Sequence, residues 1–272
     1  MNEPVIIKPL GSFEWVDLRE LIASRHLMFL LAWRDVKVMY VQTYLGIAWS
    51  VITPLISIFV LNFVFQKVAK TDTGDVQPFL FTMCGYVAWS YFSKLVNAAS
   101  TSLINAQSII QKVYFPRLVL PLSKAVSGLV DLLVLLTILG LAMLYHDVQL
   151  RSTMLLLPFV LFMLLLTSLS VGVWLSAVTV RYRDFRFVTP FLLQVGLFVT
   201  PVAYPLSQVP GNYTAMFMLN PMVGIIESFR YCLLGVGDPL PAIGFSVFIT
   251  LFMLLLGLYY FSKVEKVMSD II

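Results

Sequence analysis

The sequence predicts an all-α integral membrane protein, and three observations carry that prediction. Of 272 residues 60% are hydrophobic and only 12% charged, against roughly 25% charged in a soluble domain. The apolar residues gather in six runs, at about 45–65, 79–96, 118–145, 154–180, 187–204 and 243–261. A hydrocarbon core about 30 Å thick takes about 20 helical residues per crossing, so six crossings use roughly 120 residues and leave room for connections. All but four of the 18 Lys and Arg residues then fall on one side, which places both termini in the cytoplasm. The net charge of +4 reports this orientation, and nucleic acid is not expected as a partner. Cys84 and Cys232 sit in different apolar runs without metal or redox spacing and read as buried spectators. The acidic N-terminus lacks an apolar run followed by a cleavage site, so no removable signal peptide is expected.

Two units follow from this pattern: a cytoplasmic N-terminal segment, 1–44, and a six-span domain, 45–272. In the first, Leu18, Leu21, Ile22, Phe29, Trp33 and Val36 form one stripe at helical spacing, as expected of a helix lying along the membrane surface. Its basic residues include Arg34 and Lys37. The connection after the second span counts Lys94, Lys112, Arg117 and Lys124 as basic, and within it 101–115 is amphipathic. Leu103, Ala106, Ile110, Val113 and Tyr114 share one face, and Asn105, Ser108, Gln111 and Lys112 the other. A short cytoplasmic helix of this kind either rests on head groups or docks a partner. Pro116 should end it, because the ring removes a backbone donor.

Asp131 falls near the middle of the third run, where a carboxylate facing lipid costs at least a few kcal/mol, so it should face the interior. A hydrogen-bonding role is favoured over a proton relay, since no second intramembrane acid or His accompanies it. Arg181, Arg183 and Arg186 cluster at a cytoplasmic boundary, where they anchor the protein or, with Arg34 and Lys37, attract phosphates of a lipid-linked substrate. The fifth run is bracketed by Pro190, Pro201 and Pro205. The punctuated region after it, about 206–241, suits short re-entrant helices, with Glu227 and Arg230 spaced to pair across one turn. The five tryptophans are interfacial belt residues or, lining a cavity, faces for sugars. No phosphate-binding loop, zinc-protease motif or nucleophile elbow occurs, so neither ATP hydrolysis nor other enzymatic chemistry is expected of this chain.

Five motifs in order carry a resemblance. They are Trp33-Arg34-Asp35-Val36-Lys37 with Tyr40, Thr43, Leu45-Gly46, Trp49 and Pro54; Lys112-Val113-Tyr114-Phe115-Pro116-Arg117; Val180-Arg181-Tyr182-Arg183-Asp184 through Pro190-Phe191; Thr200-Pro201-Val202-Ala203-Tyr204-Pro205; and Leu219-Asn220-Pro221-Met222 with Glu227, Phe229, Arg230 and Gly235. Over nearly its whole length the chain resembles the membrane subunit of ABC-2-type polysaccharide exporters, which move O-antigen, capsular or teichoic acid polymers. One departure is Met39, where similar proteins often carry a basic residue. The resemblance implies a homodimer in the bacterial inner membrane, driven by two copies of a separate ABC ATPase that binds the ATP and magnesium, with no cofactor in this chain. It implies a coupling helix at about 101–115, with Leu103, Ile110, Lys112 and Tyr114 as the ATPase-coupling residues. It further implies a lipid-linked glycan entering at Arg34, Lys37, Arg181, Arg183 and Arg186, and an exit gate at Glu227 and Arg230. Within transport, the alternative is a permease for a small drug or lipid.

Overall fold

The computed structural model describes residues 18–41, 46, 48–74, 76–149, 151–237, 239–266 and 268. The expected boundary between the two units, and Lys8, Trp15, Thr43 and Leu45, lie outside the described residues. Those described form helices and turns, with no strand among them.

Two helices, α1 (Leu18–Ala23) and α2 (Arg25–Val41), open the chain. Next come α3 (Ala48–Asn62), which widens into a π-helical turn at Phe63–Val68, and α4 (Pro78–Ser100). Two short helices, α5 (Ser102–Asn105) and α6 (Gln107–Ile110), lead to α7 (Val119–Tyr145). A 3-10 turn at Ser152–Leu156 runs into α8 (Leu157–Arg181), followed by α9 (Phe185–Val199). After α10 (Gly211–Met218) and α11 (Pro221–Leu234), α12 (Leu240–Glu265) closes the fold.

Each of the six apolar runs contains a helix among its described residues, but not all are equally suited to lipid. Four helical stretches are long and apolar enough to cross a membrane: Ala48–Val68, Val119–Tyr145, Ser152–Arg181 and Leu240–Glu265. α4 is long enough but more polar, and its neighbours α3, α7, α8, α9 and α11 sheathe it so that most of it is buried. α9 has only 15 residues, about 22 Å of helix, short of a 30 Å core; Pro201 helps to stop it two residues after Val199.

Small side chains let the central helices approach closely, as membrane helices do. A Cβ on Gly172 of α8 would come within 2.9 Å of Ala99 of α4, and Thr167 of α8 meets Thr250 of α12 at 2.7 Å. Cys84 and Cys232 are both buried free thiols. A second core at the α2 end of the bundle joins Leu31, Leu103, Phe115, Leu118, Val180 and Phe261.

Two sequence expectations are corrected here. The single apolar stripe proposed for the N-terminal helix accounts for half of α2. Ile22 of α1 and, on α2, Phe29 and Trp33 are indeed exposed, but Leu31 on the opposite face and Ala32 on the flank are buried, so α2 is apolar on more than one side. The amphipathic helix expected at 101–115 is interrupted at Ala106 and breaks into α5 and α6. Leu103 and Ala106 are buried in the second core, whereas Val113 and Tyr114 are exposed, so the five residues assigned to one face do not share one.

Candidate functional site

A polar knot ties α2, α3, α4 and α7 together, and Asp131 is its centre. Asp131 is 8% exposed. Its Oδ1 accepts from the Tyr40 hydroxyl at 2.5 Å and from Ser50 Oγ at 2.9 Å, while its Oδ2 accepts from Lys94 Nζ at 3.0 Å. Two turns back along α7, Lys124 pairs with Asp35 of α2 at 2.5 Å. Burial, then the bond to Asp131, pushes the Tyr40 phenol up to about 12, so it remains a donor. Tyr40, Ser50, Lys94, Lys124 and Asp131, with Trp49, Thr53, Asn97 and Ser127, line a cavity of about 400 Å³. Asp131 therefore faces the interior as expected, but its partner is a cation: Lys94 belongs to α4 and Lys124 to α7, not to a basic connection. A charged residue inside an apolar run was the signal that could have found Lys94; Tyr40 and Ser50 carried none.

At the same end, the 113–117 segment is fastened to α12 and stands beside α1. The Arg117 amide donates to Glu265 Oε1 at 3.1 Å, and its guanidinium donates to the Glu265 carbonyl at the end of α12. Glu20 of α1 stands beside Tyr114 and, with some burial and Glu265, holds its phenol above the ordinary value. Of the four expected coupling residues, Lys112 and Tyr114 are exposed and Ile110 is half-buried. Leu103 is fully buried and faces the core instead of a partner.

Arg181, Arg183 and Arg186 are all exposed around the tight α8–α9 turn, with Arg181 over the Tyr182 ring at 5.6 Å. Arg34 and Lys37 are exposed too, Arg34 pairing with its neighbour Asp35 at 3.0 Å. The two groups stand on differently packed helices: α2 rests on α7, whereas α9 rests on α4 and α8.

At the opposite end, Arg230 of α11 is wholly buried. Its guanidinium donates to the Val202 carbonyl at 2.5 Å, to the Tyr204 carbonyl at 3.4 Å and to Glu227 Oε1 at 3.1 Å, and lies 3.7 Å from the Phe81 ring centroid. Glu227 also accepts from the Leu206 amide at 3.3 Å. The pair thus latches the 202–206 loop, which leaves α9, onto α11 and α4. The Asn-Pro motif explains how α11 starts: Asn220 caps it by accepting from the Met222 amide at 3.0 Å, and its amide nitrogen donates to Thr200 at 2.8 Å. Gly235, at φ 69, ends it. Gly85 of α4 leaves room for the latch, since a Cβ there would meet the Val202 carbonyl and approach Arg230 Nη2 within 2.7 Å. Among the described residues no three His, Cys, Asp or Glu side chains group as a metal site requires.

A model of the ABC-2 type transporter family matches residues 26–234. The chain is 29% identical over 218 residues to the O-antigen export system permease protein RfbA of Myxococcus xanthus, covering 78% of this chain and 82% of that one. It is 25% identical over 248 residues to RfbA of Klebsiella pneumoniae, covering 90% and 95%. It is 22% identical over 244 residues to the polysialic acid transport protein KpsM of Escherichia coli, covering 86% and 92%.

Proposed function

This chain belongs to the ABC-2 type transporter family, and from that membership we propose that it is the permease subunit of an ATP-driven exporter of a lipid-linked polysaccharide. The observation that carries the reading is similarity along most of the chain to permeases named for O-antigen and polysialic acid export. The protein is not itself an enzyme; ATP and magnesium belong to a cytoplasmic ABC ATPase, two copies of which drive a homodimer of this chain in the bacterial inner membrane, and no cofactor is needed here.

Four helices cross the membrane on their own apolarity. α4 completes a fifth crossing inside its sheath, and α9 a sixth by sharing the bilayer's depth with the 200–206 loop, which leaves both termini cytoplasmic. In this arrangement Ile110, Lys112 and Tyr114 meet the ATPase. Arg181, Arg183 and Arg186 receive the substrate's phosphate at the membrane surface, and Arg34 and Lys37 contribute from α2. Glu227 and Arg230 hold the exit loop closed.

Transport by this protein consumes ATP on its partner and moves the substrate without breaking a bond in it. The test is to purify the chain with its co-expressed ATPase and identify the molecule retained. A lipid-linked glycan that stimulates ATP hydrolysis is expected. Retention and stimulation by a small drug or simple lipid instead overturns the polysaccharide reading.

A further inference from the structure

At the end of the bundle far from α2, a groove of about 450 Å³ runs between α7, the start of α8 and Leu233 of α11. Its side chains are apolar apart from Thr137. Beyond Val148 it is continued by a second compartment of about 310 Å³, which adds Gln77 and His146 to apolar walls. Leu234 lines that compartment, and the Arg151 guanidinium lies against Gly235, the next residue; a Cβ on Gly235 would collide with it. No carboxylate among the described residues lines either compartment, and Asp147, next to His146, is exposed. We propose that this two-part groove is a phospholipid site, with one acyl chain in the apolar part and the phosphate head group at His146 and Arg151.

Size, surroundings and charge select that occupant. An apolar cavity of this kind does not hold water, and left empty it would forfeit the dispersion contacts of its lining. The groove is built on α7 and α8, two of the helices apolar enough to cross the bilayer, so hydrocarbon is the solvent at its mouth. From Leu136 to Leu144 its α7 wall is about 12 Å long, close to the ~15 Å depth of one leaflet, half of the core. That matches a single acyl chain lying along the helix. The head-group end supplies the His146 imidazole, with the Arg151 guanidinium beside it against Gly235 and no carboxylate among the described lining residues, which suits a phosphodiester.

Gly140 offers the means to test this, because it lines the groove and a Cβ built on it meets nothing within 4 Å. Gly140→Phe therefore starts from an open Cβ position and should take up part of the groove. Gly244 of α12 is equally open but lies outside the groove, so Gly244→Phe is the matched control. The full chain, reconstituted in bilayer discs containing a phosphatidylglycerol with a photoactivatable acyl chain, should give adducts concentrated in 136–157. Gly140→Phe should lower that labelling several-fold and Gly244→Phe should not. Arg151→Gln with His146→Gln should lower labelling by phosphatidylglycerol more than by a neutral diacylglycerol analogue.

Adducts spread evenly over the lipid-facing helices of the unmutated chain overturn the proposal, whether or not any variant folds. Equal labelling of the two phenylalanine variants overturns it too. Preferential labelling by an isoprenoid diphosphate analogue would reassign the site to the substrate's carrier. The site rests on the chain being in a bilayer and not on what it exports, so these results leave the transport reading untouched.

Discussion

Two acid–base pairs, one buried at Arg230 and one in which the Lys94 side chain is 45% exposed, separate what a single residue does in this protein from what its position suggests. Asp131 in isolation calls for a neutral hydrogen-bonding role, yet it balances Lys94 at 3.0 Å. Asp131→Asn keeps an acceptor for Tyr40 and Ser50 but leaves the Lys94 ammonium without a counter-ion. It should lower the melting temperature of the purified protein measurably, and Lys94→Gln in the same chain should recover part of the loss. The interhelical bonds concerned are worth roughly 0.6 to 2 kcal/mol each in a membrane. Asp131→Leu, which strands Tyr40, Ser50 and Lys94 together, should cost more than Asp131→Asn. Arg230 is the harsher case. Arg230→Ala leaves the Val202 and Tyr204 carbonyls without their donor and Glu227 without its cation, a loss of about 3 to 5 kcal/mol for a broken buried pair. Arg230→Lys should not rescue it, since one ammonium cannot serve acceptors arranged for a planar fork. Thermal unfolding of both variants in detergent checks the ranking.

At the scale of elements, the latch depends as much on an absent side chain as on present ones. Gly85→Ala changes no charge, yet its Cβ would collide with the Val202 carbonyl. Overpacking of this kind costs about 1 to 3 kcal/mol; the 202–206 loop should loosen, seen as faster hydrogen exchange there than in α8. The α5–α6 segment is judged differently. The Ile110 amide donates to the Ala106 carbonyl at 3.0 Å, and α6 has only four residues. Ile110→Pro removes that bond at about 3 kcal/mol or more. Because Ile110 only borders the second core, whose buried members include Leu103 and Phe115, the spans should stay folded while ATPase co-purification falls. Unchanged co-purification and export would show that the coupling contact lies elsewhere.

The position of the apolar helices was legible from apolar runs, and the Glu227–Arg230 pair from its spacing. The break at Ala106 was not: four-residue turns leave too short a period to read. Nor were the other pairings that define the sites. Tyr40–Asp131, Asp35–Lys124 and Arg117–Glu265 join residues 91, 89 and 148 apart, and nothing local in the sequence selects such partners.

For the whole molecule, charge at one end is the property most open to experiment. Replacing Arg181, Arg183 and Arg186 together by Gln should weaken substrate-stimulated ATP hydrolysis while basal hydrolysis and assembly persist. Salt should imitate part of the defect in the unmutated complex, since exposed charges are screened over about 8 Å at physiological ionic strength. Normal stimulation with impaired membrane insertion would make the three arginines anchors alone. The enclosure of α4 also orders events during synthesis. Lys94 is translated 37 residues before the Asp131 that neutralises it, and at about 5 to 20 residues per second that interval is roughly 2 to 7 s. Until α7 arrives, α4, most of which is buried in the finished protein, is a newborn segment whose Lys94 has no Asp131 to pair with. The insertion machinery must shelter α4 for that time, and a pause placed between the two codons should send more chains to quality-control proteolysis.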